Sequence, residues 1–480
     1  MGEAIRFLLN GEERMVEGLP PTTTVLEYLR GARERLTGTK EGCAEGDCGA
    51  CTVLLEEPDG AGGLQRRAVN ACILFLPALH GRSVVTVEHL GRDGLHPIQE
   101  AMVERHASQC GFCTPGFVMQ LYSGWRTGAL SDRQSVKDVI SGNLCRCTGY
   151  GPIVEAGLDL ARRPLPDTSA EDAATAEALR AARGEGVFRY EADGRLWLSP
   201  GHVDDLADTY AAHPEATLVA GATDVGLWVT KQHRDFPVMI DVSRVEDLRH
   251  VEEGPHSLFF GAGVTHREAR ARLADIHPDL DEVMRRFAGY QIRNTGTVGG
   301  NIANGSPIGD LPPMLIALGA NLFLRRGEAM RNLPLEDFFI QYGRQDRAPG
   351  EFVVAVEVPL LEVNERFAAY KISKRLDSDI SAVLAAFKLT LDGGVVMSAR
   401  LAFGGMAGTP KRAAAAEAAL IGRPFDADSV ARAAKALRED FQPLDDLRAS
   451  ADYRLQAAAG CLERFRLQLN GVPSRIEEVA

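Results

Sequence analysis

The chain has 480 residues, a formal net charge of -13, and hydrophobic and charged fractions of 45% and 25%. That length suggests about three domains, each large enough for a core of its own, and the acidic balance without a long basic run excludes a general nucleic-acid binder. No stretch reaches roughly eighteen consecutive apolar residues, so no membrane-spanning helix is expected.

The opening MGEAIRFLLNGEE lacks basic residues before an apolar core and does not read as a secretory signal. Arg6 stands where a myristoylation signal would carry Ser or Thr. A cytoplasmic protein is the expectation. In a reducing compartment, nine cysteines with eight before residue 150 point to metal rather than disulfides. Cys461 stands apart and is expected to be a small buried hydrophobe.

Ile5 to Leu9 and Arg14 to Val16 flank Asn10-Gly11, which predicts a tight hairpin. Thr24 and Glu27 form a capping-box pair before a short helix whose apolar face is Val25, Leu26, Tyr28 and Leu29. GTKEGCAEGDCGAC then sets Cys43, Cys48 and Cys51 in a C-x4-C-x2-C spacing, with Cys72 after twenty further residues. This is the plant-type [2Fe–2S] pattern, in which soft thiolates hold sulfide-bridged iron. Gly38, Gly42, Gly46 and Gly49 suit a loop that brings backbone N–H groups close to the sulfurs. A structural zinc site is the bland alternative, although zinc modules usually pair short C-x2-4-C knuckles. Thr52 to Leu55 and Val84 to Val87 read as strands, and the apolar run NACILFLPAL would bury Cys72.

From about His96 the pattern turns helical, with Pro97 opening a helix through Ile98, Met102 and Val103. QCGFCTPG supplies Cys110 and Cys113, and NLCRCTGYGP supplies Cys145 and Cys147. A C-x2-C and a C-x-C separated by thirty-one residues suit zinc or iron on spacing alone. Pro115 and Pro152 follow the two pairs where each could open a helix, and two helix N-termini facing one site favour an anionic cluster. Arg146 could add to that field or be a plain surface arginine.

Taken together, the first cysteine motif, QCGFCTPG and CRCTGYGPI resemble the iron–sulfur region of the molybdenum hydroxylases, the xanthine dehydrogenase family. The resemblance implies a ferredoxin-like domain and a four-helix domain with one [2Fe–2S] cluster each. It places the cluster on Cys110, Cys113, Cys145 and Cys147 nearer the molybdenum, and that on Cys43, Cys48, Cys51 and Cys72 nearer the flavin. Gln109 matches a family glutamine that approaches the pterin cofactor, here in a partner chain.

Residues 164–186 read as a linker, opening with Pro164, Pro166, Asp167 and Ser169 and continuing as an Ala- and Glu-rich loose helix. Beyond Val187, LVAGATDVG (Leu218 to Gly226) predicts a strand, a tight turn with Thr223 and Asp224, and a helix start where backbone amides could cradle a pyrophosphate. NTGTVGGNIANGSPIGDLPP (Asn294 to Pro313) is a second turn rich in glycine and small polar residues, and by itself either turn reads equally as an ordinary loop. FFGAGVTH invites a dinucleotide-fold reading, but His266 occupies the third glycine position, and that reading is rejected.

VAGATDVG, FAGYQIRN and TVGGNIANGSPIGDLPP are similar to the FAD-binding domain of the same family, which is not a Rossmann fold. The resemblance implies that Leu218, Val219, Ala220, Gly221, Ala222, Thr223, Asp224 and Val225 line the FAD pyrophosphate. It sets Phe287 near the adenine and Thr297, Asn301 and Asp310 on the nucleotide or its ribitol, with Val353 a hydrophobic contact and Lys371 a basic one. Core packing alone would account for Phe287 and Val353. Ala222 and Asp224 replace the asparagine and glutamate of other members.

After about Val363 the chain reads as α+β, with strands FKLTL and ARLAFGGM and then alanine-rich helices. YKISKRLDSDISAV resembles the family loop over the flavin, although Ser378 separates Asp377 from Asp379 where many relatives have adjacent acids. Tyr342 matches a family tyrosine near the nicotinamide, or is a plain exposed aromatic.

The expected architecture is multidomain α+β. Residues 1–90 form a β-grasp ferredoxin-like domain and 91–163 a four-helix [2Fe–2S] domain. After the linker come a non-Rossmann (PCMH-type) FAD-binding domain over 187–362 and a C-terminal α+β domain over 363–480. The resemblance implies an electron-transfer chain that takes electrons from a molybdenum site on a partner chain through two [2Fe–2S] clusters to FAD and on to NAD, as hypoxanthine and xanthine are oxidised. No catalytic residue acting on the purine is expected in this chain. The molybdopterin would belong to a separate large chain in an α2β2 heterotetramer. The alternatives are a molybdenum hydroxylase for aldehyde or heteroaromatic substrates, a self-sufficient NADH:acceptor reductase, or a zinc-bound structural protein.

Overall fold

The computed structural model describes residues 2–92 and 94–473. It divides into two compact units, one of Met1–Glu246 with Ala288–Gly296 and one of Asp247–Phe287 with Thr297–Ala480.

The first unit begins with a five-stranded sheet ordered Glu12–Val16, Ile5–Leu9, Ser83–Val85, Thr52–Pro58 and Leu64–Asn70. Ile5, Phe7 and Leu9 alternate with more exposed residues and fill the core, as a strand period of two requires. Asn10 and Gly11, with φ of 56° and 85°, make the two-residue turn that joins the first two strands. Helix Val25–Arg30 carries the full Thr24–Glu27 capping box and buries Val25, Leu26, Tyr28 and Leu29. The strand expected over Val84 to Val87 is Ser83–Val85, and Leu64–Asn70 is a strand that the hydrophobic pattern did not mark.

Helices Pro97–Glu104, Thr114–Arg126, Arg133–Val139 and Gly151–Ala161 form the second region around Ile98, Met102, Phe117, Leu121, Val136, Ile153 and Leu160. Val103 lies on the solvent side of its helix, 65% exposed, so it does not belong to the apolar face assigned to it. The 164–186 segment is ordered rather than loose. Its helix Ser169–Arg183 has Glu171 and Asp172 in the first turn, Arg180 and Arg183 in the last, and Ala176 and Leu179 buried.

A four-stranded sheet follows, ordered Phe188–Ala192, Arg195–Ser199, Val238–Asp241 and Thr217–Val219. It shares a core with the first sheet, where Phe75 meets Trp197 edge-on at 6.0 Å. Helix Tyr290–Thr295 also joins this unit, Asn294 Nδ2 donating to Ala68 O at 2.8 Å.

The second unit holds a sheet ordered Val251–Glu253, Ser257–Gly261, Phe352–Pro359, Asn321–Arg326 and Ala329–Pro334. Ser257–Gly261 is antiparallel to both neighbours, which a Rossmann strand before a glycine turn would not be. A second sheet, Glu365–Ile372, Val383–Asp392, Val395–Gly404 and Lys411–Arg412, packs with helices Ala414–Leu420, Ala427–Asp440 and Ala451–Leu469. Phe387, Phe403, Phe441 and Phe465 knit that core, and Cys461 is buried in it. No helix among the described residues is long and apolar enough to cross a membrane.

Candidate cofactor sites

All nine cysteines are free thiols. In the first region the loop after Gly38 turns through Ala44, Gly46 and Gly49, all at positive φ, and so folds Cys43, Cys48 and Cys51 back toward Cys72. Cys51 Sγ lies 3.3 Å from Cys72 Sγ, and Cys48 N donates to Cys43 Sγ at 3.4 Å. The Cys43 thiol lies in hydrogen-bonding reach of both Cys48 and Cys72, and these bonds draw it well below the usual thiol range. Cys72 is pushed up by the neighbouring Cys43 and Cys51 thiols and by burial. Four thiolates so close together repel one another unless a cation sits among them, and multinuclear ferric iron supplies that charge. Asn70 Nδ2 adds a contact to Cys51 Sγ at 3.6 Å.

The second quartet is more open. Cys110 and Cys147 are exposed, Cys113 half-buried and Cys145 buried. The thiols meet as two pairs, Cys110 with Cys147 and Cys113 with Cys145. Burial and the neighbouring Cys145 push the Cys113 thiol up to about 12. Burial also raises Cys145, but the Thr148 hydroxyl and the Thr148 and Cys147 amides bring it below the usual range. Pro115 and Pro152 sit in the first turns of helices Thr114–Arg126 and Gly151–Ala161, as their spacing predicted. Arg146 is exposed, and Gln109 Nε2 donates to Cys147 O at 2.9 Å. Two thiol pairs suit two bridged irons with two thiolates each.

The quartets adjoin. Leu144 N, one residue before Cys145, donates to Cys48 O at 2.9 Å. On the other side of the first quartet, Ile73 follows Cys72 and faces Gly226, where a Cβ would lie 2.7 Å from Ile73 Cβ. Thr230 Oγ1 donates to Ala44 O at 2.7 Å, holding helix Val225–Thr230 on the cysteine loop.

Leu218 and Val219 end strand Thr217–Val219, and Ala220 to Asp224 make the turn into that helix. A Cβ on Gly221 would collide with the Thr295 carbonyl, so only glycine fits. Ala222 is buried at φ 57°, and Asp224 at the end of the turn is exposed. The main chain therefore passes tightly between two elements, with small residues at the tip, as a phosphate cradle requires.

The other residues proposed for FAD lie in the second unit. Thr297 caps helix Val298–Asn304 by accepting from Gly300 N at 3.0 Å. Asn301 Oδ1 is a buried acceptor that no donor among the described residues satisfies, which leaves it available to a ligand hydroxyl or ring N–H. Asp310 and Lys371 form a buried ion pair at 2.5 Å, with Ser381 bonded to both at 2.6 and 2.9 Å. Phe287 meets His266 edge-on at 4.8 Å. Val353 is buried in strand Phe352–Pro359, opposite Leu324. Of these groups Asn301 Oδ1 is the one without a partner among the described residues, whereas Asp310, Lys371 and Ser381 bond one another and Thr297 caps its helix. Ser381 was not anticipated, because a lone serine in a loop carries no pattern. Tyr342 is 74% exposed, and the loop after Ile372 turns at Ser378, φ 50°.

Four family profiles match. A 2Fe-2S iron-sulfur cluster binding domain spans residues 7–76 and a [2Fe-2S] binding domain 86–158. An FAD binding domain in molybdopterin dehydrogenase spans 188–361, and a CO dehydrogenase flavoprotein C-terminal domain 368–469. Domain by domain, the chain is thus similar to the iron–sulfur and flavin domains of molybdopterin dehydrogenases. It is 34% identical to xanthine dehydrogenase of Drosophila subobscura across 90% of this chain and 36% of that protein. Against the xanthine dehydrogenase/oxidase of Rattus norvegicus the identity is 32%, across 84% of this chain and 34% of the relative. The chain thus spans about a third of the length of these curated relatives. Among solved structures, carbon monoxide dehydrogenase from Hydrogenophaga pseudoflava superposes with a TM-score of 0.53 at 28% identity, covering 56% of this chain and 94% of that one. Quinoline 2-oxidoreductase from Pseudomonas putida 86 gives 0.52 at 26% identity, with the same coverage.

Proposed function

We propose that this is the electron-transfer chain of a bacterial two-chain xanthine dehydrogenase, working with a separate molybdopterin chain in an α2β2 heterotetramer. The observation that carries this reading is the chain of close contacts from the second quartet through Leu144 and Cys48 to the first, and from Cys72 through Ile73 to Gly226. The xanthine dehydrogenase relatives support a purine substrate. When bound, [2Fe–2S] clusters exchange one electron at a time and FAD exchanges one or two, which connects a two-electron oxidation at molybdenum to NAD.

In this reading Cys43, Cys48, Cys51 and Cys72 hold the cluster nearer the flavin, and Cys110, Cys113, Cys145 and Cys147 the one nearer molybdenum. The exposure of Cys110 and Cys147 leaves the latter open to a partner. The Leu218–Val225 turn receives the FAD pyrophosphate on its backbone. Thr297, Asn301, Asp310 and Lys371 orient the nucleotide and flavin side, while Phe287 and Val353 supply apolar contact. None of these groups acts on the purine. The domains are placed at 1–90, 91–163, 187–362 and 363–480, and the protein in the cytoplasm.

Cys113→Ser should abolish electron flow from xanthine to NAD while NADH-driven dye reduction persists. Survival of both activities would overturn the order of the relay. Carbon monoxide dehydrogenase and quinoline 2-oxidoreductase, superposed over 94% of their chains, favour a second reading in which a different large chain sets another substrate. Hypoxanthine turnover by the co-purified complex separates the two.

A further inference from the structure

Three donors converge on the carbonyl of Gly49, between Cys48 and Cys51: Thr52 Oγ1 at 2.6 Å, Thr52 N at 3.2 Å and Asn143 Nδ2 at 3.0 Å. Asn143 Oδ1 accepts from Gln291 Nε2 at 2.9 Å, and the same amide donates to Thr52 Oγ1 at 2.9 Å. The three side chains are 3% exposed or less. They come from three distant stretches: the strand after the first cysteine loop, the approach to Cys145, and helix Tyr290–Thr295.

The knot is tightly enclosed. A Cβ on Gly49 would lie 2.5 Å from Asn143 Nδ2, and one on Gly142 would collide with Gln291 Oε1. Arg293 Nη2 adds a bond to Ser141 Oγ at 3.1 Å, so the helix holds both Ser141 and Asn143. Directly beyond Asn143 comes Leu144, whose amide bonds to Cys48 O. Gln291 Oε1 is buried with no donor among the described residues, while both amide groups' other bonds and the Thr52 hydroxyl are paired, and a buried network of this kind fixes the parts it joins.

We infer that Asn143, Thr52 and Gln291 are positioning residues that set the distance and orientation of the two cysteine quartets relative to each other. The inference rests on the proposal that each quartet holds a [2Fe–2S] centre. It assigns these residues no ligand role, since among the described residues their bonds run to Gly49 O and to one another rather than to a thiol. It also gives the inserted helix Tyr290–Thr295 a purpose that its short length and single turn would not suggest.

The test uses the full chain reduced with dithionite, comparing wild type with Asn143→Ala, Gly142→Ala and the conservative Thr52→Ser. Iron per chain and the electron paramagnetic resonance of each centre are read first, and then the magnetic interaction between the centres. The expected result is wild-type iron in all variants, with the interaction altered in Asn143→Ala and Gly142→Ala and preserved in Thr52→Ser. An unchanged interaction in both with full iron would overturn the inference. So would iron lost from one quartet alone, because the residues would then be local scaffold. Wild-type chain lacking both iron–sulfur signals would overturn the functional reading beneath it.

Discussion

His80 shows how far a single side chain is committed by burial. Its ring stacks on Phe188 with centroids 3.7 Å apart, and its Nδ1 accepts from Arg6 N at 3.1 Å. Burial first, and then the nearby Arg244 guanidinium, lower it to about 3. The unfolded chain takes up a proton at the ordinary histidine value and the folded chain does not. Stability from this residue is therefore complete above that value and falls as pH drops through the window toward 3. Urea unfolding at a series of pH values should give wild type a steeper acid loss than His80→Gln, by up to about 1.4 kcal/mol per pH unit. Equal slopes would show that His80 is not held neutral. Such a state was not legible in the sequence, since the residues that surround His80 lie as far away as Phe188 and Arg244. The cysteines were legible, because ligand chemistry limits both residue type and spacing. Asn143 and Gln291 were not, although both stand inside motifs singled out for other residues.

Among the elements, those with local signatures were read correctly. Asn10-Gly11, the Thr24–Glu27 box and the prolines at 115 and 152 each encode their geometry within a few residues. Strand Leu64–Asn70 escaped notice because Gln65, Arg66 and Arg67 break the apolar pattern, and they do so for a reason. Arg66 bonds Glu56 on the neighbouring strand at 2.9 Å and grips Asp172 on helix Ser169–Arg183 with two nitrogens, at 2.9 and 2.5 Å. The same contacts explain why the 164–186 segment is docked rather than loose: an alanine-rich helix with little apolar face is held by an ion pair whose partner lies 106 residues away. Arg66→Ala leaves Glu56 without its cation and Asp172 with only the longer Arg126 contact of 3.9 Å, and should lower stability by about 1.5–3 kcal/mol. Protease cleavage within 164–186 should become faster. Unchanged cleavage would mean that Ala176, Leu179 and the Arg126–Thr168 and Arg183–Arg244 contacts hold the helix without Arg66.

For the whole molecule, chain order alone gave four regions, whereas the packing gives two units that cut across them. The residues 288–296 lie with the iron–sulfur regions while their flanks lie in the other unit. No sequence pattern marks such an exchange, because it depends on which surfaces meet rather than on any local preference. The central claim is that eight thiols hold two binuclear centres in a flavoprotein. It is tested most directly by assaying iron, acid-labile sulfide and FAD in the full chain prepared without oxygen. About four irons and four sulfides per flavin are expected, with two distinguishable signals after reduction. A colourless protein holding zinc in place of iron would contradict the account.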